Sequence, residues 1–502
     1  MSGPIKNQTF SKSTTKIDRR RFLKLGVLGL TGLMSAPLDS FASTSCNHAA
    51  GSRPNSKIII AGAGLAGLSV AFELDRMGYQ VQLLEARMRP GGRVHTIREP
   101  FSDGLYAEAG AARFPKNHNL TMKYVREFNL PLIPFKPEPG SPLANVVHIK
   151  GHRYEATDQE RFTLDPSIFD APADIEKLGR DGLEEKYLNS IEEKIGDRCN
   201  AGWPSQAVAK YDKVTEYGLL QKKGATKNEI ALITLGREKE ASALWSLSEA
   251  ECIDGDPLFK IRGGMHQLPE AFASQLSDKI FYGAEVIGIT QDKKQVEIEY
   301  IQSGNKRVIK GDRLVCTIPF TVLKQINISP PLSAIKQRAI QELPYYPIAK
   351  VFLQTRTRFW IEQGLKGFAN ADFLGFGEVW DASFNQPGHR GLLVAMIHGD
   401  EARRLSMLTE YNRIRWVINH LENLFPGLKE HVEGGATAMW LNDPWVRGAF
   451  NYYLPGQVTS FYKHIPKPEK LIHFAGDHTS PFPGWMQGAF HSAQRVVNEI
   501  TS

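Results

Sequence analysis

The sequence predicts an α/β fold from three observations. A β-branched run at 57–61 passes through Gly62-Ala63-Gly64-Leu65-Ala66-Gly67 into apolar residues at helical spacing, then into a second apolar run ending at Glu85. Strand-like runs return at 286–290, 296–300 and 313–317, and again at 471–475. Between these blocks lies a strongly charged, helix-like stretch at 155–250. A strand, glycine turn, helix and acid-tipped strand in that order make a Rossmann-like dinucleotide-binding unit. A chain of 502 residues has room for about two or three domains. The expected architecture is a nucleotide-binding domain interleaved with an α+β domain that carries a helical insertion.

Residues 1–42 read as a signal peptide. Asp18-Arg19-Arg20-Arg21-Phe22-Leu23-Lys24 resembles the twin-arginine consensus, 25–34 is apolar but too short to span a bilayer, and Ser40-Phe41-Ala42 is a small-x-small cleavage site. The expected localisation is the periplasm or outside the cell, with the twin-arginine export machinery as a partner. Cys46 lacks the preceding leucine of a lipid-attachment site. The same segment holds seven Lys and Arg against two Asp and Glu, and without it the net charge falls from +7 to +2. No interleaved basic and aromatic stripe remains to bind nucleic acid. No run of 18 apolar residues predicts a stable membrane span.

After a linker at 43–56, the nucleotide-binding domain is expected at 57–118, 259–343 and 466–502. Gly62 permits its tight turn, Gly64 admits a pyrophosphate to the backbone, and Gly67 lets the helix pack closely on the strand, with the phosphate at the helix N-terminus. Glu85 arrives about 20 residues on, where a carboxylate accepts hydrogen bonds from ribose hydroxyls. The second domain is expected at 119–258 and 344–465. It should hold a helix at 119–128, a proline-rich connector at 131–142, helices at 175–178 and 183–195 with solvated charged faces, strands at 350–355 and 391–397, and a helix at 412–424. A last helix opens near Trp485 and runs to Ile500. Cys46, Cys199, Cys252 and Cys316 show neither metal-ligand spacing nor an assignable disulfide framework, so no metal is expected.

Five segments in collinear order, at 83–96, 261–272, 314–319, 349–360 and 473–497, resemble the flavin-containing amine oxidases, and within them the L-amino acid oxidases. The resemblance covers 57–500 and implies a GR2-type flavoprotein with noncontiguous domains and extended FAD. It implies FAD contacts at Gly62, Gly64, Gly67, Glu85, Arg87, Gly92 and Arg93, at Ala111, Ala112 and Val286, and at Gly476, Asp477, Gly484, Trp485 and Met486. It also implies catalytic roles for Arg113, Lys350 and Trp485, and a substrate site formed by Arg113, Trp380, Phe450, Gly484 and Trp485. Where amine oxidases resemble Gly-Gly-x-Tyr, this chain reads Gly110-Ala111-Ala112-Arg113. A guanidinium fork there suits a carboxylate through two charge-assisted hydrogen bonds. Lys350 stands where relatives hold a water beside the flavin. Gly448-Ala449-Phe450 replaces the attachment cysteine of monoamine oxidases, so FAD should be noncovalent.

The expected reaction is oxidation of an L-α-amino acid by O2, giving a 2-oxo acid, ammonia and H2O2. An oxidase of amines without a carboxylate, oxidative decarboxylation to an amide, and a flavin-binding module without turnover stay open. Trp380, Phe376, Phe450 and Trp485 suit bulky side chains, whereas Glu249, Glu251, Glu378 or Asp381 would suit basic ones. A homo-oligomer is compatible with the sequence.

Overall fold

The computed structural model describes residues 56–137, 140–157, 180, 182–234, 237–248, 257–375 and 377–502. The expected signal peptide at 1–42, the expected helix at 175–178, Glu249, Glu251 and Phe376 lie outside the described residues.

The glycine-turn unit belongs to a five-stranded parallel sheet, in the order Ile280–Tyr282, Gln80–Glu85, Lys57–Ala61, Arg313–Cys316, Ile472–Phe474. Strand Lys57–Ala61 is central because it is apolar on both faces. Ile58 and Ile60 pack with Val70, Phe272 and Phe490 of helices Leu65–Arg76, Gln267–Gln275 and Met486–Thr501. Ile59 and Ala61, pointing the other way, pack with Ile289, Val296 and Ile298 of a four-stranded layer. Helix Asn119–Glu127 adds Met122, Tyr124 and Val125 to the Ile58 side of this core.

A seven-stranded sheet builds the other wall of the site. Its order is Val432–Met439, Ile348–Thr355, Gly391–His398, Glu378–Asp381, Leu365–Ala371, Ala144–Ile149, His152–Ala156. Strand alternation sorts its side chains: Val351, Val379, Ala395 and Ile397 enter a core with Val417 and Leu421 of helix Glu410–Leu421, so Lys350, Glu378, Trp380, Met396 and His398 project from the opposite face. The register pairs Lys350 with Met396 and Ile348 with His398.

Several elements differ from the sequence reading. The proline-rich connector contains a strand, Leu132–Pro134, paired with Leu258–Ile261; Pro134 closes it, where a missing N–H breaks no inner ladder. The helix expected at 183–195 is interrupted at Leu188, where Ile191 N–H donates to the Leu188 carbonyl in a tight turn, and resumes as Asn189–Ile195. Strands Asn305–Gly311 and Val432–Met439 are sheet edges without apolar alternation, which is why periodicity misses them. The charges of the insertion are not all solvated. Arg237 bridges Glu184 at 2.8 Å and also pairs with Glu216, and Asp212 is buried, accepting from Ser242 at 2.7 Å and from the Thr459 N–H at 2.8 Å. Cys199 is disulfide-bonded, whereas Cys316 is free and buried. Among the described residues no helix is long and apolar enough to cross a membrane.

Candidate active site

A cavity of about 710 Å³ is lined by the parallel sheet, the seven-stranded sheet and the C-terminal turn. At one end, helix Leu65–Arg76 begins at Gly64 without a side-chain cap, so its first N–H groups and dipole are open to an anion. Gly64 lines the cavity, and a Cβ there would meet no protein atom within 4 Å. The buried Glu85 carboxylate accepts from Ala63 N–H at 2.7 Å and Arg87 N–H at 2.9 Å. Burial pushes this carboxyl up, and the two N–H donors oppose the rise.

Arg93 and Asp477 tie this end to the C-terminal turn. Their side chains pair, Arg93 also donates to the Ala449 carbonyl, and Asp477 accepts from Gly484 N–H at 2.9 Å. Burial would raise the Asp477 carboxyl, but the Arg93 guanidinium holds it below the usual range. Gly484 has φ +81°, and a Cβ on it would lie 2.8 Å from the Phe450 ring, so only glycine lets the turn approach that aromatic. Trp485 then caps the last helix with its ring edge-on to His118, the centroids 5.0 Å apart.

At the other end, Arg113 pairs with Glu378 at 2.6 Å, and its guanidinium lies 4.9 Å from the Phe135 centroid and 5.9 Å from that of Trp380. Lys350 donates to the carbonyls of Glu108 at 3.0 Å and Gly110 at 2.6 Å, fixing the segment that leads into Arg113. Burial lowers its pKa to about 7. Burial likewise lowers His398 to about 4, and its Nε2 has no hydrogen-bond partner among the described residues.

The cavity collects Gly62, Gly64, Glu85, Arg87, Gly92, Arg93, Ala111, Ala112, Val286, Gly476, Asp477, Gly484, Trp485 and Met486, together with Arg113, Lys350, Trp380 and Phe450. Gly67 does not line it and acts through helix packing. Arg87 lines it while bonded to both Asp443 oxygens at 2.5 and 2.6 Å. Asp381 does not line it; it is buried and pairs with Ser383. Sequence reasoning missed Met396 and His398, both in the wall. Their signal was the parity they share with Lys350, legible only once the strand register is known.

The sequence profile described as "Flavin containing amine oxidoreductase" matches residues 65–501. The chain belongs to that family. It is 30% identical over 458 residues to the Bacillus subtilis (strain 168) protein YobN, provisionally named an L-amino-acid oxidase, covering 88% of this chain and 94% of that protein. It is 27% identical over 461 residues to the L-amino-acid oxidase BmooLAAO-I of Bothrops moojeni, covering 89% of each. Among solved structures, putrescine oxidase bound to putrescine matches with a TM-score of 0.75 at 22% identity, covering 89% of this chain and 99% of that one. Cyclohexylamine oxidase from Brevibacterium oxydans IH-35A matches with a TM-score of 0.74 at 22% identity, covering 89% and 100%. These two likenesses establish the shared fold.

The protein is thus a flavin-dependent amine oxidoreductase, and its cavity fits the family's FAD. The uncapped helix and the open space at Gly64 would take the pyrophosphate and Glu85 the ribose. A cavity of about 710 Å³ lies in the range of cofactor sites. Flavin supplies the two-electron acceptor.

The depressed Lys350 pKa has a measurable consequence. An unfolded lysine titrates near 10.5, so between pH 7 and that value the unfolded chain binds more protons at this position. Stability from Lys350 therefore rises with pH across this window. Lys350→Met is expected to flatten the rise, as read from denaturation midpoints at successive pH values; an unchanged profile would count against a depressed pKa.

Proposed function

We propose that this amine oxidoreductase oxidises L-amino acids: amino acid, O2 and water give 2-oxo acid, ammonia and H2O2. The observation that carries this reading is Arg113, a guanidinium in the cavity wall flanked by Phe135 and Trp380 and anchored to Glu378 by one nitrogen. The rest of its five-donor fork can take a substrate carboxylate. Phe450 and Trp485 would enclose the substrate and exclude water, and the Gly484 carbonyl would accept from its amine. The protein's part is orientation, with the α-carbon held in place through its carboxylate. The names of YobN and the Bothrops moojeni enzyme support this substrate class. FAD is proposed to be noncovalent because Ala449, which cannot form a thioether, stands in the cavity wall; FAD freed by acid denaturation checks this.

A second reading, oxidation of amines lacking a carboxylate, draws on the same pair, since Arg113 already carries the Glu378 carboxylate. Peroxide release from matched L-amino acids and their decarboxylated amines separates the two. Strong preference for the amino acids supports the proposal, and equal rates defeat it.

Export through the twin-arginine machinery to the periplasm or beyond is proposed from 18–24 and the following apolar stretch. Arg19→Lys together with Arg20→Lys should hold the enzyme in the cytoplasm. Undiminished exported activity would remove the proposal.

A further inference from the structure

We propose that Glu378 selects L-amino acids with cationic side chains, an inference that rests on the carboxylate-binding role of Arg113. Glu378 opens a strand whose cavity face also carries Trp380. One of its oxygens meets Arg113 at 2.6 Å, and about a third of its side chain, 34%, stays accessible from the cavity. No second hydrogen-bond partner is present among the described residues. A carboxylate oxygen with unused acceptor capacity therefore faces the substrate space.

Glu378 is ionised. Burial alone would push its carboxyl up, but Arg113, acting by charge and hydrogen bond, holds it below the usual carboxylate range, with His398 and Lys136 adding to the effect. The local charges are thus Arg113 and Glu378, which cancel, with Lys136 also acting on Glu378; burial lowers Lys350 to about 7 and His398 to about 4, so His398 is neutral near pH 7 and Lys350 only partly charged.

A substrate carboxylate on Arg113 makes two anions share one guanidinium. A neutral side chain leaves the exposed Glu378 oxygen desolvated and unpaired, which is costly in a closed site. An ammonium or guanidinium at the end of the substrate side chain pairs with that oxygen through a charge-assisted hydrogen bond, while Trp380 supplies an apolar wall for the methylene stem. A side-chain carboxylate would bring a third anion and is disfavoured.

The test compares kcat/KM, from peroxide release, for L-lysine, L-leucine, L-glutamate and cadaverine, in the flavin-loaded wild type and Glu378→Gln. Glutamine keeps an acceptor for Arg113 and removes the charge. The wild type should favour L-lysine over L-leucine by about 10-fold or more, with L-glutamate the poorest amino acid. In Glu378→Gln the lysine-to-leucine ratio should fall by about 10- to 100-fold, the loss of one ionic hydrogen bond, and L-glutamate should gain relative to L-leucine. An unchanged ratio, or equal losses on lysine and leucine, overturns the proposal and leaves Glu378 as a support for Arg113 alone. Wild-type turnover of cadaverine equal to that of L-lysine would instead overturn the carboxylate reading on which it rests.

Discussion

Arg113→Ala is expected to lower kcat/KM for L-amino acids by roughly 100-fold or more, the kinetic equivalent of about 3 kcal/mol for a lost charge-assisted pair. The variant should keep its flavin, because Arg113 stands at the Glu378 end of the cavity, whereas the uncapped helix and Glu85 form the other. Decarboxylated amines should lose little, since they offer nothing for a guanidinium to hold. The structure adds a second effect. Glu378 owes its low pKa chiefly to Arg113, so without the arginine its burial is unopposed by its main partner and the carboxyl should rise. Steady-state kinetics on matched acid and amine pairs, with flavin content measured alongside, reads the outcome. A variant that loses flavin, or that loses both substrate types equally, would falsify the clamp.

Gly67→Ala should be the most damaging single methyl in the nucleotide unit. A Cβ at this position would lie 2.0 Å from the Gly62 carbonyl oxygen and 3.2 Å from the Ile60 side chain. Both atoms belong to the turn and the central strand, so relief requires helix Leu65–Arg76 to lift off the sheet. That motion carries the uncapped helix N-terminus away from the cavity, so a poorly flavinated protein is expected, destabilised by about 3 kcal/mol. Absorbance of bound flavin and the thermal midpoint check both parts. Full flavin occupancy with a wild-type Tm would show that the helix tolerates the shift.

How much of the molecule could be read in advance follows from which forces act locally. Along 57–93, strand and helix periods, the glycine turn and Glu85 are properties of consecutive residues, so the nucleotide-binding unit is legible without any long-range contact. The same holds for the turn at 476–485, where a strand, glycine and tryptophan precede a helix, and for Arg113, Lys350 and Trp485 as chemically distinctive residues within family-like segments. The partners of those residues were decided by the tertiary structure. Glu378 meets Arg113, and Met396 and His398 join Lys350 on one face, only because strands Ile348–Thr355, Gly391–His398 and Glu378–Asp381 align in one register. A one-residue slip would turn each of those side chains to the other face, and nothing local distinguishes the two registers. The insertion teaches the same point. Its charges read as solvated in sequence, yet Glu216 and Asp212 are buried, Glu216 paired with Arg237 of the same insertion and Asp212 with Thr459 far along the chain, because the cost of burying an ion is set by its surroundings. Composition and period thus pointed to a dinucleotide-binding unit and its place along the chain, whereas cross-strand register decided which charges face the cavity.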